Sequence, residues 1–139
     1  MTMIRMLSGA DISASGMAAE RMRMEVVANN LANAHSTRSQ DGGPYRRREV
    51  VFQSVAGSAG NLGGVKVLGI RPDASELPKT LDPGHPDADE QGFVTMTNVK
   101  PAFEMVDLIT ASRSYEANLR ALRTFREMAE QALTLLRGA

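Results

Sequence analysis

The sequence predicts a mainly α protein: two long terminal helices pairing as a coiled-coil-like hairpin, with a small β-hairpin and loop region between them. Three observations predict it. An apolar–polar pattern runs without proline from about Ile4 to Ala34. A second runs from about Pro101 to Arg137 with no interior proline or glycine. The stretch between them holds every other proline and most of the glycines, the residues least compatible with helix interiors. The chain therefore divides into an N-terminal helix (1–34), a middle loop and β region (35–98) and a C-terminal helix (99–139).

In the first segment, steps of alternately three and four residues select Leu7, Ala10, Ala14, Met17, Arg21, Met24, Ala28 and Leu31. All are apolar except Arg21, the pattern of a coiled-coil-like seam. Gly9 and Gly16 each cost about 1 kcal/mol relative to Ala inside a helix, so this helix is weak alone and better packed. Asn29, Asn30 and Asn33 close the segment. They read equally as helix terminators and as amides that bridge backbone groups of a partner, with Asn30 and Asn33 on one interfacial edge.

The last segment gives a second seam: Met105, Leu108, Ser112, Tyr115, Leu119, Leu122, Arg126, Ala129, Leu133 and Leu136. Phe103, Ile109, Phe125, Met128 and Ala132 lie off it, and a helix with more than one apolar stripe expects more than one partner. Arg21 and Arg126 are expected to meet carboxylates or carbonyls at helix–helix contacts, because an unpaired buried charge costs several kcal/mol. Pro101 suits the first helical turn, with Asn98 placed to cap it. Helices of this length span about 45 and 55 Å. A loop-rich middle cannot cover both, so their stripes are expected to meet each other and then other chains.

In the middle, Tyr45–Gln53, Gly64–Ile70 and a shorter Gln91–Met96 stretch read as strands, punctuated by the Asp41-Gly42-Gly43-Pro44 turn and the Gly57–Gly64 loop. A small β-hairpin unit follows from them.

Composition narrows the function. The hydrophobic fraction is 42%, but only 4% of residues are aromatic and nine are methionine, a set suited to adaptable helix–helix contact. Sixteen basic residues balance sixteen acidic ones, so the footprint of a nucleic-acid binder is missing, and the run Arg46-Arg47-Arg48 reads as a solvated strand edge. With no cysteine there is no disulfide, thiolate or zinc–cysteine chemistry. His35 and His85 stand far apart without a ligand pattern, so no metal is expected. Asp87, Asp89, Gln91 and Gly92 imitate the start of a calcium loop, but Asn98 occupies the position of its final bidentate Glu. No serine has a nucleophile context and no glycine-rich loop cradles phosphate. Neither catalytic residues nor cofactors are expected. The first ten residues do not form a cleavable secretory signal, and no stretch approaches a membrane span.

Two signatures carry a resemblance. Ala28-Asn29-Asn30-Leu31-Ala32-Asn33-Ala34, with Ile12-Ser13-Ala14-Ser15-Gly16-Met17 and Arg21-Met22 upstream, resembles the N-terminal signature of the flagellar axial proteins of rod and hook. Glu104–Ile109 and Ala111-Ser112-Arg113-Ser114-Tyr115-Glu116-Ala117-Asn118 resemble the C-terminal signature of the same family. The middle segments Asp41–Phe52 and Asp82–Asp89 resemble its proximal-rod members, while Gly57–Gly64 does not align and Thr97 stands where the family pattern has proline. The resemblance implies a non-catalytic, periplasm-spanning rod subunit in the flagellar basal body. It implies delivery through the flagellar type III export apparatus, in keeping with the lack of a cleavable signal, and polymerisation with copies of itself and other rod and basal-body proteins.

The assembly interface expected from seams and resemblance together comprises Leu7, Met17, Arg21, Met24, Asn30, Leu31, Asn33, Met105, Leu108, Tyr115, Leu119, Leu122, Arg126, Leu133 and Leu136. No nucleic-acid partner and no direct membrane insertion are expected. The competing readings are a cytosolic helical-hairpin adaptor for one partner helix and a metal-dependent enzyme using His85 and the acids at 87–90.

Overall fold

A computed structural model describes residues 2–40, 42–57 and 63–138, with side-chain environments from residue 9 onward. Helix α1 spans Thr2–Ala32 and helix α2 spans Pro101–Arg137. Between them lie β1 (Arg48–Val55), β2 (Gly64–Pro72), β3 (Lys79–Leu81) and β4 (Phe93–Thr95). Two helices enclosing a small antiparallel β region is the architecture that the distribution of proline and glycine predicts.

The helices lie side by side, and their closest pairs fix direction and register. A Cβ on Gly9 would meet the Phe125 ring at 2.7 Å, and one on Gly16 would meet the Asn118 amide at 3.0 Å. Asn30 bonds Glu104. In each pair the two residue numbers add to 134, so the helices run antiparallel, and the α1 members are separated by multiples of seven. Arg23, one heptad before Asn30, reaches Asp107 at 3.0 Å. Ala111 and Glu104 are the buried residues of α2 and stand one heptad apart in the same row as Asn118 and Phe125.

The face of α1 turned to α2 is therefore Gly9, Ser13, Gly16, Arg23, Val27 and Asn30. It lies one residue before the row chosen from apolar counting. Ala14, Arg21 and Ala28 of that row are exposed, and Met17, Met24 and Leu31 are half-buried at its border. The physical reason is size. Where two backbones approach closely, glycine, serine and alanine fill the contact, and a search for large apolar side chains selects the neighbouring row. The two glycines that weaken the isolated helix are the ones that admit α2.

Strands β1 and β2 form an antiparallel hairpin from Arg48↔Pro72 to Val55↔Gly64, with a register shift between Val51 and Phe52. Its strands coincide closely with the predicted runs, although Tyr45–Arg47 precede β1 rather than belong to it, and residues 58–62 of the connecting loop lie outside the described set. The third predicted strand is present as β4, but it pairs with β3, which the sequence pattern does not reveal. Lys79-Thr80-Leu81 is too short to show alternation. The hairpin leans on α1, where the Ser15 hydroxyl accepts from Val65 N at 3.1 Å. A small core of Ala34, Tyr45 and Val99 joins the end of α1 to the approach of α2, and buried Thr97 donates to Ala34 O at 2.8 Å, a bond that proline at this position would lack.

Asn98 does not cap α2. The helix begins after Lys100 with no side-chain cap and with proline in its first turn. The Asn98 side-chain Oδ1 instead accepts from Arg47 N at 2.7 Å, and its Nδ2 donates to Ser75 Oγ at 2.9 Å.

Candidate assembly site

The end of the helix pair nearest the β region is held by a buried polar node. Asn30, with no exposed surface, lies in the last turns of α1, and its amide uses every donor and lone pair. Nδ2 donates to Arg48 O at 2.8 Å and to Glu104 Oε2 at 2.9 Å. Oδ1 accepts from Arg48 N at 3.0 Å and from the Tyr45 hydroxyl at 2.9 Å. Asn30 thus reads both backbone groups of Arg48 at the start of β1 as a neighbouring strand would, while also reaching α2. Of the two readings of the closing asparagines, this is the bridging one, with the bridged backbone in the same chain. Asn29 and Asn33 fit the terminating one: each donates to the carbonyl four residues back.

Glu104 sits in the first turn of α2, where a carboxylate suits the helix dipole. Its side chain is 1% exposed and accepts from Arg47 Nε at 2.6 Å as well as from Asn30. Arg47 also faces Asp73 and Asp107, each at 3.5 Å, and Glu49 at 3.7 Å. Burial alone would pull its guanidinium pKa down, but the hydrogen bond and charge of Glu104, with the charges of Asp73 and Glu49, outweigh it and raise the value. Burial also raises the Tyr45 phenol, opposed by the charge of Arg48 and assisted by that of Glu104. Asp73 is held below the usual carboxylate range chiefly by hydrogen bonds from the Ser75 amide and hydroxyl. The node thus joins α1, β1, the 73–75 loop and α2, and no group in it is left as a free acid, base or nucleophile.

The loop that imitates a calcium site has its oxygens committed elsewhere. Asp87 accepts from Thr37 at 2.8 Å and pairs with Arg38, contacts that lower its pKa, with the hydrogen bond to Thr37 the largest cause. Asp89 accepts from the amides of Gln91 and Phe93. Among the described residues no group of three or more metal-ligating side chains converges, and no helix is long and apolar enough to cross a membrane.

Outside the node, α2 carries a large uncovered apolar surface. Phe103 (69% exposed), Met105, Val106 (62%) and Ile109 mark its start, and Leu133, Leu135 (77%) and Leu136 (72%) its end. In a pairing whose numbers add to 134, Ala132 stands opposite Thr2, so residues 133–138 project past the first described residue. Of the other expected interface positions on α2, Leu108, Tyr115, Leu119 and Leu122 are half-buried and Arg126 is exposed. Arg21 is exposed on α1 and pairs with Glu25 four residues on, rather than with a group across the helix contact. The side chain of Leu7 lies outside the described residues. Tyr45, Glu104 and Asp107 are node residues that the sequence pattern did not reveal, and Arg47, expected on a solvated strand edge, instead precedes β1 with its side chain largely covered by its pairing with Glu104.

Both ends of the chain match known families. Residues 11–38 match the family described as flagella basal body rod protein, and residues 90–135 match the C-terminal family of flagellar basal body rod FlgEFG proteins. The flagellar basal-body rod protein FlgC of Salmonella typhimurium is 44% identical, over 90% of this chain and 93% of its own length. The chain belongs to the FlgC family of flagellar basal-body rod proteins. FlgC of Aquifex aeolicus is 45% identical over 93% of this chain and 96% of its own, and that of Borreliella burgdorferi 36% over 96% and 99%. A FlgC-family chain is a structural subunit of the flagellar basal body, not an enzyme, and it assembles with other basal-body rod proteins. That family membership favours the rod reading over the cytosolic adaptor. The two matched stretches include Asn30 and Glu104, the residues that lock the two ends together.

Proposed function

We propose that this subunit polymerises through its terminal helices, with copies of itself and with neighbouring rod proteins, after delivery by the flagellar type III export apparatus. The observation that carries the reading is the uncovered apolar surface of α2, open at Phe103, Met105, Val106 and Ile109 and again at Leu133, Leu135 and Leu136. An exposed apolar surface spread over both ends of a helix this long suits contacts with more than one neighbouring chain. The heptad spacing of the α1–α2 contacts supports a coiled-coil-like pairing of the two helices, with residues 1–34 and 99–139 as assembly arms and 35–98 as the region between.

The assembly surface comprises Met105, Leu108, Tyr115, Leu119, Leu122, Arg126, Leu133 and Leu136 of α2, flanked by Leu7, Met17, Arg21, Met24, Leu31 and Asn33 of α1. Asn30 serves it from inside, by fixing the hairpin and α2 relative to α1. Removing residues 133–139 tests the proposal. The shortened chain is expected to stay soluble and helical, because Leu133, Leu135 and Leu136 are exposed in the subunit, yet to leave cells non-motile and without rods by electron microscopy. Normal swimming would reject this surface.

A further inference from the structure

We infer that β1 takes a third strand in the assembled rod, an extended segment of a different rod protein laid along its outer edge. This contact rests on the assembly proposed above and exists only if the chain assembles in that way.

The hairpin shows which main-chain groups face outward. Asn30 bonds both N and O of Arg48 from outside the hairpin, so Arg48 turns its backbone groups away from β2. Alternation along the strand then turns those of Val50, Phe52 and Ser54 outward as well. The tip of the hairpin agrees. Val65 N donates outward to Ser15, and Val65 stands opposite Ser54, so both residues of that pair face away from the ladder. The two ends match across the register shift because Leu68 is the extra residue on β2, skipped between Gly69 and Val67.

The same two anchors leave the β1 edge open. At its start the hairpin is held to α1 through β1, at Arg48, and at its tip through β2, at Val65. It therefore crosses α1, and the β1 edge leaves the helix beyond Arg48, where residues 52–55 are exposed. Among the described residues nothing outside the hairpin bonds the main chain of Val50, Phe52 or Ser54.

Sheet edges that stay in water are guarded by lysine, proline or a bulge. Strand β2 has all three, in Lys66, Pro72 and Leu68. Strand β1 from Val50 to Val55 has neither charge, proline nor bulge. Outward donors and acceptors at strand spacing are complemented by another extended backbone. The Asn30 amide already imitates its first rung, and Val50, Phe52 and Ser54 supply the next three. The added segment is thus extended over about five residues, free of proline where it pairs, and apolar beside Phe52. A second copy does not supply it. Its own β1 would pair about Phe52 as a closed two-fold dimer, which ends growth instead of continuing a rod. Its β2 edge is guarded, and its β3 and β4 are three residues each.

Hydrogen–deuterium exchange resolved to single amides, on the isolated full-length subunit and on basal bodies containing it, tests this. The amides of Val50, Phe52 and Ser54 are expected to slow about tenfold on incorporation, the factor that one added hydrogen bond supplies. Those of Glu49 and Gln53, which face Arg71 and Lys66 inside the ladder, are the reference. Ser54→Pro removes an outward N–H and no bond of the hairpin. It is expected to keep the urea midpoint of the subunit and to leave cells without rods, whereas Ser54→Ala keeps the N–H and builds them. Outward amides that exchange equally fast in basal bodies containing the chain overturn the added strand and leave assembly through the helices standing. Normal rods from Ser54→Pro also overturn it. A chain absent from basal bodies overturns both. The exchange comparison uses the unaltered chain, so it decides the matter even if Ser54→Pro unfolds.

Discussion

Glu104→Gln changes one atom and is expected to cost most of what the node contributes. Both neighbours of the carboxylate are donors: Arg47 Nε at 2.6 Å on one oxygen and Asn30 Nδ2 at 2.9 Å on the other. A glutamine amide has a single oxygen, so in either orientation its NH2 group faces a donor inside a site that is 1% exposed. One charge-assisted bond is lost and the Arg47 charge loses its closest partner, leaving Asp73 and Asp107 at 3.5 Å to compensate. Losing a bond to a charged group costs about 1.5–3 kcal/mol, and breaking a fully buried pair about 3–5 kcal/mol. Because Arg47 retains other carboxylates, a loss of about 2–4 kcal/mol is expected. Urea unfolding followed by far-UV circular dichroism measures it, with Asp107→Asn as the comparison. Asp107 is partly exposed, and its loss is expected to cost under about 1 kcal/mol. A Glu104→Gln penalty no larger than that of Asp107→Asn would refute the idea that the node is a satisfied, buried unit.

Three further outcomes follow from the same geometry. Asn30→Asp sets a carboxylate against Glu104 and against Arg48 O, and is expected to destabilise more than Asn30→Ala at neutral pH; Glu104→Gln added to it should restore part of the loss in a double-mutant cycle. Asp73 and Asp87 have lowered pKa values when folded, so their contribution is present above the ordinary carboxylate pKa and is lost as pH falls through the lowered values. The raised Tyr45 phenol acts at the other extreme, its contribution disappearing as pH rises through its folded value above 10, so a pH series of urea midpoints should fall at both ends. Arg21→Ala is expected to change stability by less than about 0.5 kcal/mol in the isolated subunit, because its ion pair with Glu25 is solvent-exposed.

How much of this was legible in the sequence differs by element. The helices were plain because every proline but Pro101 and nine of the twelve glycines fall in the middle, leaving two long uninterrupted patterns on either side. Their period was also readable, but the phase was not. The contacting row on α1 holds Val27, but its other members, Gly9, Ser13, Gly16, Arg23 and Asn30, are ones that a count of apolar residues passes over. Glu104 was concealed for the same reason: a charged residue in a first helical turn reads as a dipole partner exposed to water. Its burial depends on Arg47, 57 residues away, and no local pattern reports a pairing over that separation. The one available signal was the heptad row Glu104, Ala111, Asn118 and Phe125 on α2, matched in reverse by Gly9, Gly16, Arg23 and Asn30 on α1. Asn98 misled because a cap and a loop clamp use the same side-chain chemistry, and only the position of Arg47 decides between them.

On the reading proposed above, the apolar surface of α2 is an assembly surface while the node inside the subunit sets its shape. Replacing Phe103, Val106 and Ile109 together with serine tests it most directly, because all three are exposed and none belongs to the node. The measurement is electron microscopy of basal bodies from cells carrying only this variant, beside the urea midpoint of the purified subunit. An unchanged midpoint and no rods are expected. Rods of normal length at an unchanged midpoint would contradict it.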